Sequence, residues 1–189
     1  MDRNLGASRV ATSISDSLAY GDLYQWGRRS DGHQCRNSAT VPFKSSTDYP
    51  SHNDFIITPG LIHLNNLGDW RFPSNDSLWQ GLNGTNNPCP IGYRVPTKQE
   101  LNEEIQTWNT DDLYGAFDSP LKFTPAGARN SSNDEMYYDQ GAAGAYWTSN
   151  SVIGFFSIPH ASFLRFSSTH SEIIDFNRGY GFSVRCIKN

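Results

Sequence analysis

The run over residues 87–101, Asn-Pro-Cys-Pro-Ile-Gly-Tyr-Arg-Val-Pro-Thr-Lys-Gln-Glu-Leu, constrains this chain more than any other, because it gives three structural instructions in succession. Cys89 stands between two prolines, which fix their own φ and push the preceding residue to extended geometry. The thiol is therefore presented on a stiff, non-helical segment. After Gly92, the residues Tyr93, Arg94 and Val95 form a brief extended run closed by Pro96. Thr97 with Glu100 three residues on makes a capping box, so a helix is predicted to begin at Lys98. Leu101, Ile105 and Trp108 recur at helical spacing while Lys98, Asn102, Glu103 and Gln106 lie off that stripe, which describes a helix packed on one side.

The same run is similar to the Pro-Cys-Pro-x-Gly-Tyr/Trp-Arg-Val/Leu-Pro-Thr-x-x-Glu segment of the Fibrobacter succinogenes major paralogous domain family. That family belongs among bacterial C-type-lectin-like folds related to formylglycine-generating-enzyme-type domains. Further runs resemble its landmarks in its order: Met1-Asp2-Arg3-Asn4-Leu5-Gly6-Ala7, Tyr20-Gly21-Asp22-Leu23-Tyr24-Gln25-Trp26-Gly27-Arg28, Asp69-Trp70-Arg71, Leu78-Trp79-Gln80-Gly81, Tyr146-Trp147-Thr148-Ser149 and Gly181-Phe182-Ser183-Val184-Arg185-Cys186-Ile187. The resemblance implies one α+β domain over 1–189 with a C-type-lectin-like fold: two helices, a small twisted antiparallel sheet and long irregular loops. It implies that Met1-Asp2-Arg3-Asn4 is a first strand, hence that the chain is a piece of a larger exported protein. It also implies a disulfide from Cys89 to Cys186, leaving Cys35 free. Such a bond points to an oxidising, extracellular or cell-surface location, a virion or fibre tip included.

Length and composition agree with one domain. At 189 residues the chain can bury one good core, and with 37% hydrophobic, 18% charged and 13% aromatic residues it reads as a loop-rich domain with a polar, weakly charged exterior. A net charge of −4 argues against a nucleic-acid backbone as partner. No apolar run approaches a membrane span, so direct membrane insertion is not expected.

Along the chain, Ser15 or Asp16 can cap an early helix that carries Ala19, Leu23 and Trp26 on one face and ends at Gly27. Arg28-Arg29 reads as its solvated end. Residues 31–87 lose periodicity under repeated prolines and turn formers, with Trp70, Phe72 and Trp79 as the predicted pins. Later, 121–123 suggests a short strand, 130–134 a hairpin tip, and 146–149, 161–166 and 181–187 three strands. Helices early and strands late imply α+β rather than an alternating parallel fold.

Signatures of chemistry are scarce. A formylglycine-generating enzyme needs a close cysteine pair near its end, and Cys186 has no cysteine neighbour. No Gly-x-Ser-x-Gly elbow, phosphate loop or His-Glu-x-x-His occurs. His33-Gln34-Cys35 lacks the second ligand pair of a zinc site, and His52, His63, His160 and His170 are scattered. Glu100 is better used as a cap than as half of a catalytic carboxylate pair. The Trp-Asn-Asp motif of calcium-dependent lectins is missing, since Trp147 precedes Thr148-Ser149-Asn150. No cofactor is expected, with a structural calcium left open at Asn75-Asp76 or over 130–135.

The resemblance places the recognition face over residues 146–180. Its expected exposed contacts are Trp147, Asn150, Phe155, His160, His170, Asn177 and Tyr180, with Phe163, Phe166 and Phe182 as core and Arg178 bracing loop carbonyls. The expected function is a non-catalytic recognition or adhesion module that binds a glycan or protein on another surface, displayed as a homotrimer through upstream regions. An enzyme of formylglycine-generating type and a purely structural surface module are the alternatives.

Overall fold

Hydrogen bonds from the amides and rings of the early chain onto its C-terminal end set the architecture. The structure, a computed structural model, describes residues 1–58, 68–132, 139–154 and 157–189. Its strands are β1 (Tyr24–Gln25), β2 (Thr40–Val41), β3 (Phe55–Ile56), β4 (Tyr93–Arg94), β5 (Gly144–Ile153), β6 (Pro159–Phe166), β7 (Ser171–Asn177), β8 (Gly181–Phe182) and β9 (Ile187–Lys188). Two helices, α1 (Lys98–Ile105) and α2 (Leu113–Asp118), lie between β4 and β5. Strands β5, β6 and β7 make one antiparallel sheet in that order. The others pair two by two: β1 with β8 and β4 with β9 antiparallel, β2 with β3 parallel. The architecture is mixed α and β, with several small sheets.

Residues 87–101 do what their sequence dictates. Thr97 Oγ1 accepts from the Glu100 amide at 3.2 Å while Glu100 Oε2 accepts from the Thr97 amide at 2.8 Å, closing the capping box. Arg94 clamps the same carboxylate from the preceding strand at 2.8 and 2.6 Å. Together they hold Glu100 at a pKa of about 2, chiefly through Arg94. Cys89 is bonded to Cys186 across a separation of 97 residues, and Cys35 is free. Because β4 also pairs with β9, mid-chain and C-terminal end are fastened twice.

Several expectations fail. No α-helix forms over 16–26: only Ser17–Ala19 makes a 3-10 turn, and Asp16 gives no cap bond but accepts from Arg9 and Thr12 instead. Gly21 turns at positive φ, the Asp22 amide donates to Leu5 O, and Tyr24–Gln25 goes extended against Gly181–Phe182. Burial at Ala19, Leu23 and Trp26 thus comes from tertiary pairing, which overrides a helical period. Arg28 is no solvated end. It is fully buried, bonded to Asp31, Gln25 Oε1 and Asp54 O. Met1-Asp2-Arg3-Asn4 forms no strand, although the Leu5 amide donates to Val184 O. At 121–123 there is no strand either, since Lys122 adopts a left-handed φ of 51°. Phe72 is exposed, whereas Trp70 and Trp79 are buried pins. Of the expected hairpin tip, 133 and 134 lie outside the described residues, as do His63, Phe155 and Phe156.

The short pair β2–β3, α2 and β7 were not anticipated. Asp112 caps α2 by accepting from the Tyr114 and Gly115 amides. Gly115 is required there because a Cβ would sit 1.9 Å from Thr110 O. β7 escaped because Ile173 and Ile174 are adjacent rather than alternating, which masks the period of a strand. The predicted strand over 181–187 breaks into β8 and β9, with Ser183 bonding Ala145 and Trp147 between them. Phe182, Val184 and Cys186 are buried as the alternation demands. Ser183 and Arg185 are buried too, because the segment is covered on both sides.

Two apolar clusters result. The larger gathers Trp26, Trp70, Trp79, Trp147, Phe163 and Phe182 beneath the early chain, and the smaller packs Leu101, Leu113 and Phe123 against Tyr146, Leu164 and Phe166. The three-stranded sheet lies between them, one face to each.

Candidate ligand-binding face

Strand alternation divides the sheet's side chains. Trp147, Ala161, Phe163, Ile174 and Phe176 point into or along the larger cluster, while Tyr146, Leu164, Phe166 and Ile173 meet the helices. α1 covers only part of the helix side. Beyond its first turn the same face continues as Ser162 opposite Asp175 and then Val152, His160 and Asn177 in one cross-strand row. Among the described residues no helix covers these side chains, and the polar ones form a shelf at the end of the sheet.

Bonds within the shelf fix its geometry. Ser162 Oγ donates to Asp175 Oδ1 at 2.6 Å, and Lys98 Nζ reaches the same oxygen at 3.6 Å. Asn150, exposed just after a register shift in β5, accepts the Lys98 amide on Oδ1 at 2.7 Å. It therefore serves as a further cap on α1 and leaves its amide nitrogen outward. His160 has its pKa lowered by burial, against the opposing pull of a hydrogen bond to Asn177. The neutral ring is thus favoured near pH 7. Amide, imidazole, ammonium, hydroxyl and carboxylate groups converge on a shallow surface held by main-chain ladders.

The expected contact residues do not form one site. Asn150, His160 and Asn177 come together on the shelf. Trp147 is a correction: it is fully buried, donates from Nε1 to Tyr24 O at 2.7 Å and stacks 4.3 Å from Phe182, so it is core and not an exposed contact. His170 is exposed in the turn joining β6 to β7, beside Glu172 at 3.3 Å. Six residues of β6 separate that turn from His160, roughly 20 Å at strand rise. Tyr180 is half-buried against Phe176, on the side of the larger cluster. Phe155 lies outside the described residues. Phe163, Phe166 and Phe182 are core as read, whereas the carbonyl that Arg178 braces, His160 O at 2.9 Å, belongs to strand β6 rather than to a loop. Lys98, Ser162 and Asp175 were missed, although the capping box had already located the helix start that carries Lys98.

On the opposite face a cavity of about 170 Å³ opens between the sheet and the 127–128 and 139–145 segments, floored by Phe163, Ile174 and Phe176 with Arg165 and Asp139 at its edge. Ligand pockets for whole small molecules run to about 300 Å³ and above, so this one suits a single side chain or ring.

Other titratable groups are committed to structure. His33 is fully buried, with Nδ1 at 2.6 Å from Asp31 Oδ1 and Nε2 accepting the Gln25 amide at 3.1 Å. Burial lowers its pKa to about 4, so neither ring nitrogen is offered to zinc. Arg178 lies over the Trp26 ring and donates to Asp76 at 2.6 Å, with buried Asp69 at 3.6 Å. Asn75 Oδ1 accepts from the Ser77 amide and hydroxyl, and Asp76 Oδ1 from Arg178. Among the described residues no cluster of three or more His, Cys, Asp or Glu side chains could share a metal ion, and no helix is long and apolar enough to cross a membrane. Comparison with protein-family models, with curated proteins and with solved structures gives no match in any of the three.

Proposed function

We propose that this chain is a non-catalytic recognition module whose ligand, a glycan on another surface, binds the polar shelf at the end of the β5–β6–β7 sheet. The observation that carries this reading is the convergence of Asn150, His160, Asp175 and Asn177 beside Lys98 on a shallow face. Amides and a carboxylate in that arrangement match alternating sugar hydroxyls, and neutral imidazole supplies one donor and one acceptor. General acid–base catalysis instead wants strongly perturbed groups converging in a water-excluding pocket, and the shelf is open.

The ordered motifs resembling the Fibrobacter succinogenes paralogous family support a C-type-lectin-like scaffold for this module. The Cys89–Cys186 bond is compatible with life outside the cell, where an adhesin or fibre tip would work. The test is a glycan and host-surface protein array probed with the whole chain, with calcium and with chelator. Saturable binding to a small group of related glycans, unchanged by chelator, is the expected result. Binding to proteins alone would move the ligand class; chemical turnover of an arrayed substrate would make the chain an enzyme; silence on every array would favour a structural surface module.

A further inference from the structure

The outer edge of β7 presents main-chain groups that the shelf does not use, with Asp175 bordering both. In the antiparallel ladder, bonding partners alternate, and the Ser167 amide bonds His170 O in the turn. Counting inward from that pair, Glu172, Ile174 and Phe176 spend their main-chain groups on β6, while those of Ser171, Ile173, Asp175 and Asn177 face away. The Ser171 amide is closed by Asp111 Oδ1 at 3.2 Å and Asn177 O by the Tyr180 amide at 3.2 Å. Ile173 and Asp175 have no main-chain partner for either N–H or C=O among the described residues. The opposite edge of the sheet differs, because β5 is bonded there by Ser183.

Natural sheets blunt such edges with bulges, prolines or a covering element. β7 has neither proline nor register shift over its seven residues. Beside this open rung lies the 170 Å³ cavity, whose floor includes Ile174 and Phe176 of the edge strand itself. A strand added to β7 would point alternate side chains toward that cavity.

We propose that the β7 edge takes up an extended peptide segment of a partner protein as a fourth strand, seating one large apolar side chain in the cavity and placing basic residues along the rim. Charge selects this occupant. Asp111, Asp139, Glu172 and Asp175 surround the edge and its cavity, against Lys98 and Arg165 as cations. Two copies pairing through β7 would bring acidic edge to acidic edge, whereas a basic segment gains from the same field.

The probe is a set of capped heptapeptides in which Lys alternates with Val, Leu or Phe, titrated into the whole chain by fluorescence anisotropy. Each binder is then remade with backbone N-methyl groups on one or the other alternating set of residues. In an added strand only one set faces β7, so one methylated isomer should bind at least tenfold more weakly and the other within about threefold of the parent. Ile173→Pro, which removes an outward N–H and no bond to β6, should weaken the parent peptide by a similar factor. Equal tolerance of both isomers, or no peptide saturating below about 1 mM, overturns the proposal. Self-association of the chain that Ile173→Pro abolishes would overturn it in favour of a second copy. The peptide titration reads the β7 main chain and the glycan array reads the shelf side chains, so each reading is tested by its own measurement.

Discussion

The long irregular region and the three-stranded sheet keep their shapes by opposite means. Among the described residues of 31–87, two strands of two residues each pair with one another, and the region is pinned from inside by buried side chains that reach main-chain carbonyls. Trp70 Nε1 donates to Trp26 O, Trp79 Nε1 to Asn86 O, Asn86 Nδ2 to Gly27 O, and Gln25 Nε2 to Ile56 O and Gly179 O. Irregular backbone can be buried only if its polar groups are satisfied, and here indoles, amides and guanidinia do that work. The sheet leans chiefly on its own ladder, with side chains closing a few rungs: Arg178 donates to His160 O and Asp111 accepts the Ser171 amide. The outward main-chain groups of Ile173 and Asp175 have no partner among the described residues. The proposed recognition surfaces lie where the main-chain ladder, rather than buried side chains, supplies most of the order.

Side-chain pins should therefore fail hard. Arg178→Met would strand Asp69 in the interior, where burial already raises its pKa against the pull of Arg178, and should cost about 3–5 kcal/mol in urea unfolding. Trp79→Ala, which empties a fully buried indole site, should cost a similar ~3–5 kcal/mol. Replacing Cys89 and Cys186 together by Ser should cost about 2–4 kcal/mol, read from the same denaturation curve against wild type.

Acid should find the pinned region first. The His33 pKa of about 4, against 6.5 ordinarily, means the unfolded chain binds the proton more readily. That contribution is complete above pH 6.5 and is lost as pH falls towards 4, whereas Asp31, held at about 2 by the His33 and Arg28 contacts against its burial, stays ionised throughout. The melting temperature should drop between pH 7 and pH 5, and His33→Gln should flatten that slope. Glu100 acts lower, losing its stabilisation only between 4.5 and about 2. A smaller effect is due at the cap itself: Thr97→Ala should cost about 1 kcal/mol, visible as a shift in urea midpoint. Alanine at His160 or Asn177 should change stability least, within about 0.5 kcal/mol for surface positions away from the interior, and a larger loss would place them among the pins.

The sequence displayed whatever was local. Thr97 and Glu100 announce their helix because both halves of the box lie within one turn, and Phe182, Val184 and Cys186 announce their buried side by alternation. What depends on distant partners was hidden. Tyr24–Gln25 is extended because Gly181–Phe182 lies beside it, and Arg28 is buried in part because Asp54 O, 26 residues on, receives it. Trp147 shows the cost at the site. An aromatic in the recognition segment reads as a contact until its indole N–H is found on Tyr24 O. Asn150, His160 and Asn177 were legible as residue types. Their meeting on one shelf required the register of β5, β6 and β7.

The most direct test is a matched array measurement on wild type and on the triple variant Asn150→Ala, His160→Ala, Asn177→Ala, with thermal melting of both. Recognition by the shelf predicts that glycan signals fall at least tenfold in the variant while the melting temperature moves by only a few degrees. Undiminished glycan signals from a variant that melts like wild type would contradict it.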